Sequence, residues 1–235
     1  MRKKRKRKLN KLALGGALIT SALFIFINLT LGYDSQNTHP ALTDEAVDFY
    51  NLNFPDNQLS QEDKQLLIRG AIEEDVPPRY LNHFYDPVYN KSWSDYTTSK
   101  EWALNSATQR AFTDSAFSYG GFANLFSDNL SPTDFSYPRA LHDYASGKRD
   151  RAMLAMGHVL HLLEDANVPE HTRGDVHLWW HGTESPYEHT MAKWSPSNIN
   201  VAEELFKKSQ KPILLSQLGN YFDEIANYSN NYFNA

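Results

Sequence analysis

The stretch 158–171, HVLHLLEDANVPEH, concentrates side chains that could do chemistry. His158, His161 and Asp165 are spaced i, i+3 and i+7, which places them on one face of a helix. Burying such groups is costly unless something satisfies them, and a divalent cation does so. A histidine and an aspartate one turn apart can reach one ion, as on other helix-borne zinc sites. The HxxxD spacing by itself fits two side chains that merely hydrogen-bond each other more often than a ligand pair. Pro169 should end the helix, after which His171 returns the chain toward the same region.

Other candidates lie on either side. GAIEED (70–75) puts Glu73, Glu74 and Asp75 at a helix end, where the macrodipole disfavours anions. They form either a solvated acidic end or a cation site with one acid turned inward. His83 sits in the aromatic loop NHFYDP (82–87), and His39 in NTHPALT, which reads as a loop before the first helix. Each of these two, alone, suits a packed or surface histidine. Downstream, RGDVHLWWHGTESPYEHTMAKW adds His177, His181, Glu184, Glu188 and His189. Five of the nine histidines fall within 158–181, a density that solubility does not require, since Lys and Glu serve that purpose. Histidine and carboxylate donors without cysteine suit zinc in a catalytic rather than a structural role.

The elements that must position these groups are helical. Thr43 is the expected cap of a helix through DEAVDFYNL, with Asp44 and Glu45 in its first turn. Ser60 should cap QEDKQLLIRGAIEED, stopped by Pro77 and Pro78. After the loop RYLNHFYDPVYNKSW, helical patterns cover Lys100 to Tyr119, ended by Gly120 and Gly121. Others cover 132–146 and 149–166, with the break at Ser146–Gly147. Pro186 suits the first turn of a helix from Ser185. A last segment, 199–235, should break near Pro212. Period-two strands are scarce, so the expected fold is all-α: one helical-bundle domain with long functional loops.

Length and charge constrain the rest. A chain of 235 residues with 41% hydrophobic residues supports one cored domain. MRKKRKRKLNK carries eight basic residues and no acid, and the following 21 residues, Leu12 to Gly32, are almost wholly apolar. A basic flank before an apolar run marks an export signal. At roughly 30 Å as a helix, the run is also long enough for a membrane anchor. Residues 1–32 are therefore expected to be signal peptide or anchor, and 33–235 an extracytoplasmic domain. Beyond Gly32, 15 basic residues face 28 acidic ones, a net charge of −13. That balance argues against binding duplex nucleic acid. With no cysteine, neither disulfides nor a lipid-modified cysteine contribute.

GAIEED, NHFYDP, MGHVLHLLEDANVPEH and SPYE together resemble the bacterial zinc-dependent phospholipases C, whose superfamily includes single-strand-specific nucleases. The resemblance runs from about His39 to about Trp194 and rests on H-x3-D-x5-H with NHFYDP upstream. It implies an all-α, single helical-bundle domain with three zinc ions in a metal-lined cleft. Asp75, His83, His161 and Asp165 match the ligands of one zinc, with Asp165 bridging to another. His171 and Glu188 match ligands of a second. His39 matches the histidine of the third, which the family completes with the amine and carbonyl of a mature N-terminal Trp; here cleavage after Gly32 exposes Tyr33. The family has a histidine four residues before Glu188, where this chain has Glu184, so His177, His181 or Glu184 must complete that site; His177 is the favoured choice.

The activity implied is phosphodiester hydrolysis, with metal-activated water as nucleophile and Asp75 as general base. Phospholipid is the expected substrate and a membrane surface the expected partner, with Trp93, Tyr96, Trp102, Trp179 and Trp180 as an aromatic surface suited to lipid or to stacked bases. A nuclease or nucleotidase of the same superfamily, and a zinc-binding member without turnover, are the alternatives.

Overall fold

The computed structural model describes residues 36–76, 79–118, 134–176, 185–191, 193–194 and 200–232, apart from the side chains of 113–118, 188 and 232. The expected leader and Tyr33 lie outside them, as do His177, His181 and Glu184. The described residues are helical, and the nearest thing to a strand among them is one isolated bridge between Asp86 and Lys91. None of these helices is long and apolar enough to cross a membrane.

Helix α1 spans Thr38–Asn53 and α2 spans Gln61–Glu74. A 3-10 turn, Arg79–Asn82, leads into the NHFYDP segment. Helices α3 (Ser99–Leu104), α4 (Ser106–Ser118), α5 (Tyr137–Ala145) and α6 (Arg149–Asp165) follow. Short helices α7 (Pro169–Arg173), α8 (Pro186–Met191) and α9 (Val201–Lys207) precede α10, Leu218–Tyr232.

Helix α2 begins as its sequence dictates. The Ser60 hydroxyl accepts from the Asp63 N–H, and the Asp63 carboxylate accepts from the Ser60 N–H, a complete capping box. Asp63 also receives both arms of Arg149 from the first turn of α6, at 2.7 and 2.9 Å, which fastens the two helices at one end. That guanidinium, more than anything else, lowers the Asp63 carboxyl to about 2. Midway, Gly70 and Gly157 let the backbones touch. A Cβ on Gly70 would stand 2.2 Å from the Leu154 carbonyl oxygen, and one on Gly157 2.1 Å from that of Leu67.

Elsewhere the helix limits differ from expectation for local reasons. Helix α1 starts at Thr38, not Thr43, because Pro40 is tolerated in a first turn whose N–H groups are unsatisfied anyway. The Thr43 hydroxyl bonds to Glu164 instead of capping, so His39 belongs to a helix rather than a loop. The expected helix from Lys100 splits at Asn105, whose side chain accepts from the N–H groups of Ala107 and Thr108 and so starts α4. Helix α5 starts at Tyr137 rather than 132, with Ser136 as its cap and Pro138 in its first turn. The break at Ser146–Gly147 holds, with Gly147 at φ 74°. The final segment divides into α9 and α10, as Pro212 suggested.

The core gathers Tyr85, Trp102, Ala103, Val159, Leu162, Ala166, Phe222 and Ala226, so α3, α6 and α10 share it with the NHFYDP segment. Helix α6 turns Val159 and Leu162 to this core and its histidines to the end of α2. Helix α10 also fixes α7: Arg173 donates to the Asn230 carbonyl, and the Asn230 side chain donates to the Thr172 carbonyl, each at 2.7 Å.

Candidate metal centre

Six of the residues singled out in the sequence come together. His39 arrives on the first turn of α1 and Asp75 caps the C-terminus of α2. His83 follows the 3-10 turn, His161 and Asp165 project from α6, and His171 stands on α7. All six are buried. The backbone hydrogen bond from Tyr85 N–H to the His171 carbonyl, 3.0 Å, locks the NHFYDP segment beside α7.

Asp165 stands at the centre and uses its two oxygens differently. Its Oδ2 lies 2.8 Å from His83 Nδ1 and 3.2 Å from His161 Nε2. Its Oδ1 lies 3.5 Å from both His39 Nε2 and His171 Nδ1. Asp75 Oδ1 approaches His161 Nε2 at 3.6 Å and His83 Nδ1 at 3.7 Å. Despite the short distances, neither oxygen of Asp165 or Asp75 has a well-formed hydrogen bond among the described residues. Donor atoms that converge on a point, rather than on each other, are what a cation requires.

The spacing agrees. Four ligand atoms set tetrahedrally about 2.0–2.1 Å from an ion stand about 3.3 Å apart. His161 Nε2 and His83 Nδ1 are 3.3 Å apart, and both are within 3.2 Å of Asp165 Oδ2. His39, Asp75 and His161 form a second group with mutually close donor atoms. His161 offers only Nε2, because its Nδ1 bonds the Ala71 carbonyl at 2.7 Å, so it serves one ion. The tighter set, His83 with His161 and Asp165 Oδ2, has the stronger claim, with Asp75 beside it. His39 then belongs with Asp165 Oδ1. These buried His and Asp groups could hold a metal ion.

Electrostatics favours a cation here. Burial would raise the Asp165 carboxyl, yet the surrounding His171, His161 and His83 hold it well below the usual range. Burial would lower His39 and His83, but Asp165 and Glu164 lift the first to about 10, and Asp165, Glu74 and Asp75 lift the second to about 9. Protons on these histidines answer the same demand as a divalent ion and compete with it.

Glu74 and His158, candidates from the sequence, stand behind the site instead of in it. Glu73 stays near the surface, paired with Arg69, while both Glu74 and Asp75 turn inward. Fully buried Glu74 accepts from Arg79 Nε at 2.7 Å, from Trp102 Nε1 at 2.8 Å and from His158 Nδ1 at 2.5 Å. Burial alone would raise Glu74, but Arg79 and His158 hold it ionised, well below the ordinary carboxylate. Burial pushes His158 down, so it is the neutral donor of this bond. His158, on the same face as His161, is thus stacked on Phe135 and turned to Glu74 instead of the centre. Trp102 is wholly buried and leaves the expected aromatic surface, whereas Trp93 stacks on Tyr96 at 5.2 Å. Trp179 and Trp180 lie outside the described residues. Glu188 falls within α8, whose N-terminal neighbour Ser185 donates to buried Glu170 beside His171; its side chain, with Tyr33 and His177, is outside what the structure describes.

Compared with known proteins, the chain matches no family model and no curated sequence.

Proposed function

We propose that the chain is an exported zinc-dependent phosphodiester hydrolase of phospholipase C type. The observation that supports this most is the placement of Asp165 between two pairs of histidines, one pair per carboxylate oxygen. Zinc fits an imidazole and carboxylate donor set without sulfur. In this reading Asp75, His83, His161 and Asp165 hold one ion. His39 and Asp165, with Tyr33 at a processed N-terminus, hold another. His171, with Glu188 and His177, holds the third. When bound, the ions lower the pKa of water and neutralise charge on a phosphoryl group.

The chain's own contribution is position. Asp75 keeps two buried oxygens that no described residue hydrogen-bonds, so it is the candidate general base and acts through its position. Residues 1–32 act as the signal or anchor that places the domain outside the cell, where phospholipid is the substrate and a membrane surface the partner.

Metal content and turnover, measured together, test the reading. Purified protein should retain zinc by elemental analysis and hydrolyse phosphatidylcholine. A chelator should abolish hydrolysis, and added zinc should restore it; Asp165→Asn should lack both metal and turnover. Hydrolysis that survives chelation, or persists in Asp165→Asn, sinks the proposal. Cleavage of single-stranded DNA in preference to phosphatidylcholine would transfer the site to nuclease chemistry.

A further inference from the structure

Glu164 precedes Asp165 yet faces another way, as helical neighbours about 100° apart must. Its Oε2 lies 2.7 Å from His39 Nδ1, and its Oε1 accepts from the Thr43 hydroxyl at 2.7 Å. His39 and Thr43 are one turn apart on α1, so a single carboxylate grips one face of that helix from α6. Held this way, His39 donates through Nδ1 and presents Nε2, the atom 3.5 Å from Asp165 Oδ1, toward the centre. The carboxylate is mostly buried, its side chain 12% exposed, so solvent screens the contact little.

Resting on the metal reading above, we infer that Glu164 is a positioning residue that fixes the tautomer and ring orientation of His39 as a metal ligand, with Thr43 holding Glu164 in place. A carboxylate behind a ligating histidine orients the ring and makes it a better donor, and losing such a partner typically costs 10–100-fold in metal affinity. His161 has the equivalent support from a backbone carbonyl, Ala71, which no substitution of side chain removes. His39 therefore depends on a side chain where His161 does not. The competing account makes Glu164 a staple between α1 and α6 with no bearing on the ion.

The two accounts part in zinc titrations of the exported, processed protein, made by chelator competition, alongside unfolding of the metal-free protein. Positioning predicts that Glu164→Ala binds one zinc equivalent 10–100-fold more weakly than wild type and leaves the tighter equivalents unchanged. Glu164→Gln, which keeps an acceptor but no charge, should fall between them, and Thr43→Val should weaken the same equivalent by less. Nitrogen-15 spectra of the zinc-loaded protein should show His39 protonated at Nδ1 in wild type and a mixed state in Glu164→Ala. If Glu164→Ala does not fold, Glu164→Gln and Thr43→Val carry the same comparison. Unchanged zinc affinity in these variants, with or without a loss of metal-free stability, overturns the inference alone. Wild-type protein that takes up no zinc overturns the metal reading as well.

Discussion

Glu74 has no solvent contact and serves Arg79, Trp102 and His158 at once. Its charge is tolerated only because each oxygen is occupied, and removing one partner of a buried ion pair typically costs about 3–5 kcal/mol. Glu74→Ala should therefore lower the urea-unfolding free energy by about 3–5 kcal/mol, even with chelator present, since the loss precedes any metal. A loss under about 1 kcal/mol would mean that the network contributes little beyond packing. In the sequence Asp75 and Asp165 stood out as ligands, Glu74 only as one of three acids at a helix end, and Glu164 not at all. Spacing along a helix tells which residues share a face; it does not tell which face will meet another buried histidine. The sequences EED and LED look alike, yet Glu74 supports Arg79 and His158 while Glu164 supports His39.

At the scale of elements, the centre depends on how closely α2 approaches α6. Asp75 reaches His161 only because Gly70 and Gly157 let the two backbones meet below it. A Cβ at Gly157 would collide with backbone, which cannot swing aside as a side chain can, and overpacking of this sort costs about 1–3 kcal/mol. Gly157→Ala should thus push the helices apart. It should weaken metal binding out of proportion to its effect on folding, because Asp75 moves away from His161 and His83. Gly147→Ala is the control: its φ of 74° makes alanine strained, but no atom lies within 4 Å of the new Cβ. It should destabilise the fold by about 1–2 kcal/mol and leave metal affinity unchanged. Equal metal affinity in Gly157→Ala and wild type would break the link between helix approach and the site. Elements that rest on strong local signals were legible in the sequence, such as the Ser60 cap and the Gly147 turn. Those decided by tertiary demand were not: Thr43 is a favoured cap residue, but Glu164 claims its hydroxyl, and α1 runs on to Thr38.

Across the whole molecule, the six candidate ligands span residues 39 to 171 and come from five separate segments. An ion at the centre would thus join α1, the end of α2, the NHFYDP segment, α6 and α7, of which the NHFYDP segment and α6 supply residues to the main apolar core and α1, α2 and α7 do not. Buried side chains of one sign of demand, with four carboxylate oxygens unsatisfied by any described residue, make the metal-free fold the weaker state. Binding that favours only the folded form adds RT ln(1 + [L]/Kd), about 2.7 kcal/mol at a hundredfold excess over Kd. Thermal unfolding should therefore shift upward as zinc is added, saturate, and return to its starting point with chelator. Asp165→Asn removes the charge shared by both histidine pairs, so its midpoint should not respond to zinc, whatever its starting stability. The same coupling predicts where protection appears: proteolysis and amide exchange in α1 should slow most on zinc addition, because His39 is the ligand that α1 supplies and α1 lies at the periphery of the apolar core. A melting midpoint indifferent to zinc in the wild-type chain would show that these side chains hold one another and need no ion.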